Sequence, residues 1–289
     1  MSVARFQYLA PRTVREASEW LLEKGEDAHV LAGGTDIMVK VNHRVLKPGA
    51  IIGLKKIKRL RQITFDPGKG LTIGATALLA EVASHPRIQK WYPAVAFAAR
   101  ETANVQIRNM GTLGGNLCNA APSADNAPSL MALGAELTLE SIRGQRRLLL
   151  EDFFKGPGLT ALESGEILTK IFVPLPPPHS GASYQHISAR GKVDISAVGI
   201  GVTVCMAGRT CVRSRIFMGA VGPVPMRARR AEKTLRGETL TQDLMIQAGL
   251  QAAREAKPIS DVRASAAYRR KMVPVLTKRA LMEARTRAA

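Results

Sequence analysis

The sequence predicts an α+β protein made of two parts. Apolar residues recur at helical spacing in some segments and form short runs between turn residues in others, so helices and strands are expected to alternate along the first part. In the last part three expected strands come first and helices follow. Residues 174–178 separate the two parts, since closely spaced prolines fit neither a helix nor a central strand. With 289 residues, 46% of them hydrophobic, the chain is long enough for sizeable cores.

The opening residues predict a strand, a helix and a second strand. The first strand covers Phe6–Leu9. Thr13 and Glu16 form a capping-box pattern, and the apolar residues that follow at helical spacing predict a helix over 14–24. A short apolar strand, His29–Ala32, leads directly into a pair of glycines. This order indicates an α+β unit that ends in a glycine turn.

The middle of the chain predicts a hairpin, then helices and two further strands. Two short strands within residues 61–74 flank the Asp-Pro-Gly-Lys-Gly sequence at 66–70, which favours a tight turn. Thr76 is expected to cap a helix, and residues 107–120 are expected to be irregular because they are rich in glycine. The other expected elements are a helix from Pro86 to about Ala103, a helix over 127–133, and strands over Glu136–Glu140 and Ile167–Val173.

Beyond the prolines, a three-stranded sheet is expected to carry helices on one face. The strands are expected over 182–189, 197–206 and 211–220, and the helices over 228–236, 242–256 and 262–284. An order of strands first and helices afterwards is typical of an α+β domain.

Cysteine usage excludes several classes of protein. Three thiols, Cys118, Cys205 and Cys211, do not make a disulfide framework. An iron–sulfur cluster or a structural zinc site needs about four closely grouped ligands, so any metal cofactor is expected on another chain. The N-terminus lacks the apolar core of a signal peptide, and no stretch approaches the ~20 apolar residues of a membrane span. A cytoplasmic location is therefore expected.

The net charge of +19 is concentrated in two stretches. Residues 40–69 carry nine Lys or Arg and one acid, and residues 227–289 carry fifteen and six. Such surfaces are either simply solvated or attract nucleic acid, an anionic surface or an acidic partner. Aromatic residues make up only 4% of the chain and no nucleic-acid-binding motif is legible, so nucleic acid is not the expected partner.

Two glycine-paired segments carry the strongest functional signal. They are Leu-Ala-Gly-Gly-Thr-Asp at 31–36 and Ile-Arg-Asn-Met-Gly-Thr-Leu-Gly-Gly-Asn at 107–116. Glycine lets the backbone approach a ligand closely and adopt a positive φ. Successive backbone amides then form an anion-binding nest, to which the hydroxyls of Thr35 and Thr112 add donors. A single Gly-Gly pair is usually a plain turn, so a diphosphate site requires that the two pairs meet in space.

Other site signatures are incomplete or missing from the sequence. Residues 68–74 miss the G-x-G-x-x-G spacing by one residue and lie in the expected hairpin, and there is no P-loop. The five histidines are scattered and no nucleophile turn occurs, so no catalytic residue and no metal ligand is assigned. Asp125, between Pro122 and Pro128, is expected either to accept hydrogen bonds from a ribose or base or to cap the helix that begins near Ala127.

These segments together resemble the FAD-binding medium subunits of molybdenum hydroxylases, the xanthine dehydrogenase and carbon monoxide dehydrogenase flavoprotein family. The resemblance spans nearly the whole chain, and the run Arg108–Asn116 is its most specific part. The other matches are Thr-Ile-Gly-Ala-Thr at 72–76, Ala-Pro-Ser-Ala-Asp at 121–125, Gly-Glu-Ile-Leu at 165–168 and Lys-Val-Asp-Ile-Ser at 192–196, of which the C-terminal ones are looser.

The resemblance implies a fold with three parts. Two are the subdomains of a vanillyl-alcohol-oxidase-like FAD-binding fold, over residues 1–60 and 61–175. The third is a C-terminal flavoprotein domain over 179–289, which the strand pattern above predicts to be a three-stranded sheet with helices.

The same resemblance implies how FAD is held. The backbone amides of Gly33, Gly34 and Thr35 are expected to wrap the diphosphate, and residues 112–116 to close on it and on the ribityl chain from the other side. Asp125 matches an aspartate that contacts the adenosine or ribityl portion.

The resemblance also implies roles at the two rings of the cofactor. Thr102 falls where larger members place a phenylalanine near the isoalloxazine, and Tyr184 is expected to form an aromatic lid. Gln185 stands where some members have a flavin-proximal lysine, so Lys192 is expected to supply the positive charge. Leu168 matches an apolar backbone contact near the adenine. The full expected set is Leu31, Ala32, Gly33, Gly34, Thr35, Asp36, Thr102, Thr112, Leu113, Gly114, Gly115, Asn116, Asp125, Leu168, Tyr184 and Lys192.

The implied function is electron transfer within a heterotrimer, two of which are expected to pair as a dimer. A flavin takes one or two electrons, which suits a junction between one-electron clusters and a two-electron acceptor. The [2Fe-2S] clusters of a small subunit, fed by the molybdenum cofactor of a large subunit, would deliver electrons to FAD, and FAD would pass them to an external acceptor. The basic stretch 40–69, which includes Lys55, Lys56 and Lys58, is expected to dock onto an acidic partner surface.

Two alternatives remain at this point. A self-contained FAD-dependent reductase of the same superfamily, such as the UDP-enolpyruvylglucosamine reductase group, would need a catalytic acid and an arginine cluster for its substrate. The segments 107–116 and 165–168 favour the subunit instead. A basic nucleic-acid-binding or scaffold protein, whose glycine turns are only turns, would bind DNA in a salt-dependent manner and would not bind FAD.

Overall fold

A computed structural model of the chain describes residues 5–191 and 194–289. The first sheet is parallel, with the strand order β1-β3-β2. Thr13 caps the first helix as expected, because its hydroxyl accepts from the amide of Glu16 over 3.1 Å. The third strand and the second helix were not predicted. The elements are β1 (Gln7–Leu9), α1 (Val14–Lys24), β2 (Ala28–Leu31), α2 (Ile37–Asn42) and β3 (Ala50–Gly53).

The second sheet is antiparallel and has five strands in the order β4-β5-β10-β6-β7. The predicted hairpin forms its β4–β5 edge, and a small two-stranded ribbon, β8–β9, lies between β7 and β10 in sequence. The strands are β4 (Ile63–Asp66), β5 (Gly70–Gly74), β6 (Glu136–Ser141), β7 (Gly144–Leu149), β8 (Phe154–Gly156), β9 (Leu159–Thr160) and β10 (Ile167–Pro174).

Six short helices connect β5 to β6, and three expectations about this region were wrong. The helix expected from Pro86 to about Ala103 is two helices, because Pro93 has no amide hydrogen and starts a new helix at its N1 position. Thr76 does not cap a helix: the first helix begins three residues later, where Glu81 accepts from the amide of Leu78. Residues 107–120 are mostly helical. The helices are α3 (Leu79–Ser84), α4 (Pro86–Trp91), α5 (Pro93–Glu101), α6 (Val105–Arg108), α7 (Leu113–Cys118) and α8 (Asn126–Ala132).

The C-terminal sheet has four strands, one more than predicted, in the order β11-β12-β13-β14. The added strand, β14, has only two residues, which is too short to show an alternating pattern in the sequence. Three helices follow the sheet as expected. The elements are β11 (Ser180–Ser188), β12 (Ser196–Ala207), β13 (Thr210–Gly219), β14 (Met226–Arg227), α9 (Arg229–Leu235), α10 (Gln242–Glu255) and α11 (Ala266–Ala288).

Helix α8 joins the two parts of the chain by packing on β12 and β13. The approach is close: a Cβ atom added to Gly201 of β12 would lie 2.2 Å from the carbonyl oxygen of Pro128. This packing brings Asp125, which immediately precedes α8, against the edge of the C-terminal sheet. None of the helices in the described ranges combines the length and the apolarity that crossing a bilayer requires.

Candidate functional site

The two glycine segments touch each other. A Cβ atom added to Gly33 would lie 2.2 Å from the carbonyl oxygen of Met110 and 2.8 Å from the Cα of Gly111. Gly34 has a φ of +80°, a left-handed conformation that glycine adopts without strain. The sequence expectation that these distant turns meet in space is therefore confirmed.

A cavity of about 630 Å³ opens where the segments meet. That volume is typical of a small-molecule or cofactor site. Twelve of the sixteen residues expected at the cofactor line it. They are Ala32, Gly33, Gly34, Thr35, Asp36, Thr102, Thr112, Gly114, Gly115, Asn116, Asp125 and Leu168.

The first glycine segment leaves its backbone amides available. No carbonyl or side-chain oxygen in the described part of the chain accepts from the amides of residues 33–36. Thr35 also lines the cavity. Four successive donors without a protein partner are what an anion such as a diphosphate needs.

The second glycine segment differs from expectation, because the amides of residues 113–116 are all bonded within the chain. The first two donate to the carbonyls of Ala77 and Ala75, over 3.0 and 2.9 Å. The other two donate to the hydroxyl and the carbonyl of Thr112, each over 3.0 Å. Gly114 is needed for packing rather than for a ligand, since an added Cβ would lie 2.5 Å from the carbonyl oxygen of Ala75. The second glycine segment therefore contributes side chains and a closely packed wall to the cavity.

A hydrogen-bonded brace ties the two segments together beside the cavity. The Nδ2 of Asn119, directly after α7, donates to the carboxylate of Asp36 over 3.0 Å. Lys40 of α2 donates to the Oδ1 of the same asparagine over 3.3 Å. Asp36 was expected to contact the cofactor, and the structure gives its carboxylate this bracing contact as well.

A second brace lies at Thr102. Its hydroxyl donates to the carbonyl of Ala98 over 2.8 Å and accepts from the Nδ2 of Asn126 over 3.1 Å. The same Nδ2 lies 3.0 Å from the Oδ1 of Asn116. Two predicted residues that lie 14 positions apart in the sequence are thus linked through one buried asparagine.

Asp125 does not cap α8, so that alternative was wrong. Its side chain makes no capping bond. Instead its Oδ1 accepts from the hydroxyl of Tyr184 over 2.7 Å and from that of Ser196 over 2.5 Å. Burial raises the pKa of Asp125 above its ordinary value, and the hydrogen bonds from Ser196 and Tyr184 oppose that rise. The residue is only 9% exposed and lines the cavity.

Three of the other four expected residues do not line the cavity, and the fourth is not among the described residues. Tyr184 is 2% exposed and stacks on the ring of His186, so it supports Asp125 from within the protein and is not placed as a lid. Leu113 is fully buried in the core, and Leu31 ends strand β2 beside the wall. Lys192 lies outside the described residues.

Sequence reasoning missed several residues of the wall. Eleven of them stand inside the quoted segments 72–76, 107–116, 121–125, 165–168 and 192–196, so those segments contained the signal. They are Ala75, Thr76, Ile107, Gly111, Ala121, Ser123, Ala124, Glu166, Ile167, Asp194 and Ile195. Nothing local in the sequence points to the others. Those that make polar contacts or carry charge are His29, Lys40 and Asn119. Burial lowers the pKa of His29, which favours the neutral ring there.

Two family profiles cover most of the chain. The one described as the FAD binding domain in molybdopterin dehydrogenase matches residues 4–176. The one described as the CO dehydrogenase flavoprotein C-terminal domain matches residues 182–284.

Individual relatives match over similar lengths. The carbon monoxide dehydrogenase medium chain of Hydrogenophaga pseudoflava is 32% identical over 285 residues, which is 99% of each chain. The nicotinate dehydrogenase FAD-subunit of Eubacterium barkeri is 35% identical over 247 residues, or 83% of this chain and 82% of that one.

Solved structures extend this likeness to the fold. A chain of the Hydrogenophaga pseudoflava carbon monoxide dehydrogenase that lacks the Mo-pyranopterin moiety superimposes with a TM-score of 0.96, at 32% identity and with full coverage of both chains. A chain of quinoline 2-oxidoreductase from Pseudomonas putida 86 gives 0.92 at 29% identity, covering 100% of this chain and 99% of that one. Since the profiles, the relatives and the fold agree over the whole length, the chain belongs to the FAD-binding medium subunits of molybdenum hydroxylases, the flavoprotein family of the carbon monoxide and xanthine dehydrogenases.

Proposed function

We propose that the chain holds one FAD in the cavity between its glycine segments and relays electrons through it. The electrons would come from the [2Fe-2S] clusters of a small partner subunit and go to an external acceptor, while substrate is oxidised at the molybdenum cofactor of a large partner subunit. The observation that carries the proposal is the nest of four available amides at residues 33–36, set against the second glycine segment on a cavity of about 630 Å³.

The residues of the wall fit the different parts of FAD. The amides of residues 33–36 suit the diphosphate, and the Thr112 hydroxyl can add a donor because no acceptor in the described ranges takes its proton. Thr102 suits the isoalloxazine end, Asp125 suits the adenosine or ribityl portion, and Leu168 suits the adenine end. The bound flavin supplies the redox chemistry, and these residues bind it, orient it and set the charge around it.

The proposed subunit composition is the one that membership of this family suggests. We propose a heterotrimer with the small iron–sulfur and large molybdenum subunits, two of which pair as a dimer, in the cytoplasm. The three-part division of the chain at residues 1–60, 61–175 and 179–289 goes with this proposal. It is supported by the position of the sheets, since each of the three larger sheets falls within one part.

Cofactor analysis of the isolated protein tests the proposal. The chain purified alone should be yellow, or become yellow on reconstitution, with one FAD per chain. The natively isolated complex should contain molybdenum, iron and FAD and two companion chains. A colourless chain that cannot be reconstituted with FAD would contradict the proposal, and so would an isolated chain that reduces a nucleotide sugar unaided.

A further inference from the structure

Asn126 is a buried polar residue that joins three helices beside the cavity. It is 0% exposed and lies at the start of α8. Its Nδ2 donates to the hydroxyl of Thr102, directly after α5, over 3.1 Å. The same Nδ2 donates to the Oδ1 of Asn116, in α7, over 3.0 Å. Thr102 and Asn116 line the cavity, whereas Asn126 lies behind them.

A backbone carbonyl fixes the direction of these hydrogen bonds. The hydroxyl of Thr102 lies 2.8 Å from the carbonyl oxygen of Ala98, which has no hydrogen, so Thr102 is the donor there. Because a hydroxyl has one hydrogen, Thr102 can only accept from Asn126. The atom of Asn126 that faces Thr102 is therefore the nitrogen, since the opposite rotation of the amide would set two acceptors against each other. This nitrogen in turn requires an oxygen on Asn116.

The side-chain amide of Asn116 is consequently turned so that its nitrogen is available to a ligand. Its Oδ1 is occupied by Asn126, and no acceptor in the described ranges takes a hydrogen from its Nδ2. Since Asn116 lines the cavity, these two N–H groups can bond to a molecule that binds there. Accepting at Oδ1 also polarises the amide, which strengthens its N–H groups as donors. They select a ligand atom that accepts, such as a phosphate or carbonyl oxygen.

The other end of the Asn126 amide indicates that this residue does more than fill space. Its Oδ1 is buried, and no donor in the part of the chain that the structure describes bonds to it. A buried acceptor without a donor destabilises the folded state. A leucine of similar size would fill the same space without that penalty. The nitrogen is therefore the useful part of the side chain, and both of its hydrogen bonds lead to cavity residues.

On the proposed function that the cavity holds FAD, we propose that Asn126 is a positioning residue that holds Asn116 with its Nδ2 towards the cofactor. Asn116 then donates to an acceptor oxygen of FAD from the second glycine segment. The first segment is close by, because a Cβ added to Gly115 would lie 3.9 Å from the Cβ of Ala32. Without Asn126 the amide of Asn116 can rotate and present its own oxygen, which repels an acceptor.

FAD titration of the full chain, followed by fluorescence, tests this role in a double-mutant cycle. Asn126→Leu removes both donors but keeps a side chain of similar size, and it should weaken FAD binding about tenfold, the effect of about one hydrogen bond. Asn116→Ala should weaken binding by a similar factor. In Asn116→Ala/Asn126→Leu the second change should add less than about twofold, because Asn126 acts through a side chain that is no longer present. A residue that only supported the fold would give losses that multiply.

Ser129→Ala is the matched control from the same helix. Ser129 is 1% exposed, and its hydroxyl donates to the backbone carbonyl of Asn126 over 3.0 Å. The change therefore removes a buried hydrogen bond without touching the cavity residues, and FAD should bind as in the wild type. Urea unfolding of each variant without FAD separates a loss of affinity from a loss of folded protein. Should Asn126→Leu fail to fold, Asn126→Ala removes the same donors and takes its place in the cycle.

The possible results separate the role of Asn126 from the proposed function. Wild-type affinity in either single variant of the cycle overturns the role of Asn126, and so does an undiminished effect of Asn126→Leu in the Asn116→Ala background. An equal loss in Ser129→Ala overturns it as well. Each of these results leaves the proposed function intact. A wild-type chain that binds no FAD contradicts the proposed function, and the inference with it.

Discussion

Gly33 has no room for a side chain, and the reason is the neighbouring backbone rather than a movable side chain. The nearest atoms to an added Cβ are the carbonyl oxygen of Met110 at 2.2 Å and the Cα of Gly111 at 2.8 Å. Real Cβ atoms essentially never approach other atoms so closely, so a substitution must push the two glycine segments apart. The width of the cavity beside residues 33–36 therefore depends on the absence of a side chain at Gly33.

Gly33→Ala should consequently weaken FAD binding more than it weakens the fold. Backbone strain of this kind costs about 1 to 3 kcal/mol in the free energy of unfolding, while separation of the segments moves the amides of residues 33–36 away from the second wall. FAD titration followed by fluorescence and urea unfolding measure the two effects. Gly68→Ala is the matched control, since the nearest contact of its added Cβ is Asp66 Oδ1 at 3.5 Å. Equal FAD affinity in both variants would contradict the argument.

Asp125 predicts a pH effect on stability whose sign follows from its pKa. Burial raises that pKa in the folded protein above its ordinary value of about 4. Between the unfolded and the folded pKa the native state binds more protons than the unfolded chain, so stability falls as the pH rises through that interval. Above the folded pKa the buried carboxylate of Asp125 is charged, and its burial continues to destabilise the folded protein.

Asp125→Asn should remove this part of the pH dependence. The variant should gain stability relative to the wild type as the pH rises from about 4 upward. Urea unfolding at a series of pH values measures the difference, with Asp243→Asn, an exposed aspartate of α10, as the control. Stability curves of Asp125→Asn and wild type that run parallel across the series would show that the carboxylate is not the titrating group.

Among the helices and strands, those with a clear local pattern were predictable. The capping box before α1, the β4–β5 hairpin and the long strands of the C-terminal sheet were found because periodicity and turn chemistry lie within a few residues. The break at Pro93 was missed because the apolar pattern runs on across it. Strand β14 was missed because two residues are too few to show an alternating apolar pattern. Local sequence patterns therefore predicted the types of these elements well, but predicted poorly where one helix ends and the next begins.

The candidate site was predictable in part for the same reason. Residues 33–36 and 112–116 are recognisable as motifs, and the cavity forms where they meet. The partners of Asp125 lie 59 and 71 residues away along the chain, on strands whose own pattern reports only burial. The burial of Tyr184 and its bond to Asp125 were consequently not foreseen, nor was the role of Ser196. The sequence alone does not show which side chains of distant elements form hydrogen bonds with each other.

A buried arginine of helix α11 bonds to the C-terminal sheet. Arg269 is 3% exposed and donates to the carbonyls of Ala197 and Ala220 over 3.2 and 2.7 Å. It also donates to the carboxylate of Asp261 over 2.6 Å. The backbone amide of Arg263 and the guanidinium of Arg269 both donate to this carboxylate. These hydrogen bonds lower the pKa of Asp261 to about 2. The stabilisation is therefore present above the ordinary pKa of about 4 and is lost as the pH falls towards 2.

Asp261→Asn should destabilise the protein by about 1.5 to 3 kcal/mol at neutral pH, because it removes a charged hydrogen-bond partner from a buried guanidinium. The loss should shrink as the pH is lowered below about 4, where the wild-type carboxylate also loses its charge. Urea midpoints at neutral and acid pH measure both effects. A deficit that stayed constant down to the acid end would mean that the charge of Asp261 plays no part.

At the scale of the whole molecule, the two parts of the chain share one site. The cavity wall is built mainly by the first two sheets and their helices, but the donors that hold Asp125 come from β11 and β12 of the C-terminal sheet. The close packing of α8 on β12 holds Asp125 within hydrogen-bond distance of these donors. The C-terminal part therefore contributes to the cavity both directly, through Asp194 and Ile195 in its wall, and indirectly, through the donors to Asp125.

The first basic stretch lies next to this site. Leu54 lines the cavity, and the exposed Lys55, Lys56 and Lys58 follow it in two 3₁₀ turns. Later in the same stretch, Arg59 pairs with Glu140 and Arg61 with Glu81. No carboxylate in the described ranges lies within ion-pair distance of the three lysines. Their charge is therefore available to a partner protein.

Reversal of these three charges should weaken assembly with the iron–sulfur subunit. In Lys55→Glu/Lys56→Glu/Lys58→Glu an attraction to acidic partner groups becomes a repulsion, and exposed charges chiefly affect association and its salt dependence. Co-purification at low and moderate salt measures the effect. The matched control, Arg270→Glu/Lys271→Glu/Arg279→Glu, changes the net charge equally at exposed positions of α11. Loss of assembly in the first variant alone locates docking beside the cavity, because both variants carry the same total charge. Equal losses in the two would show that net charge, and not this surface, governs assembly.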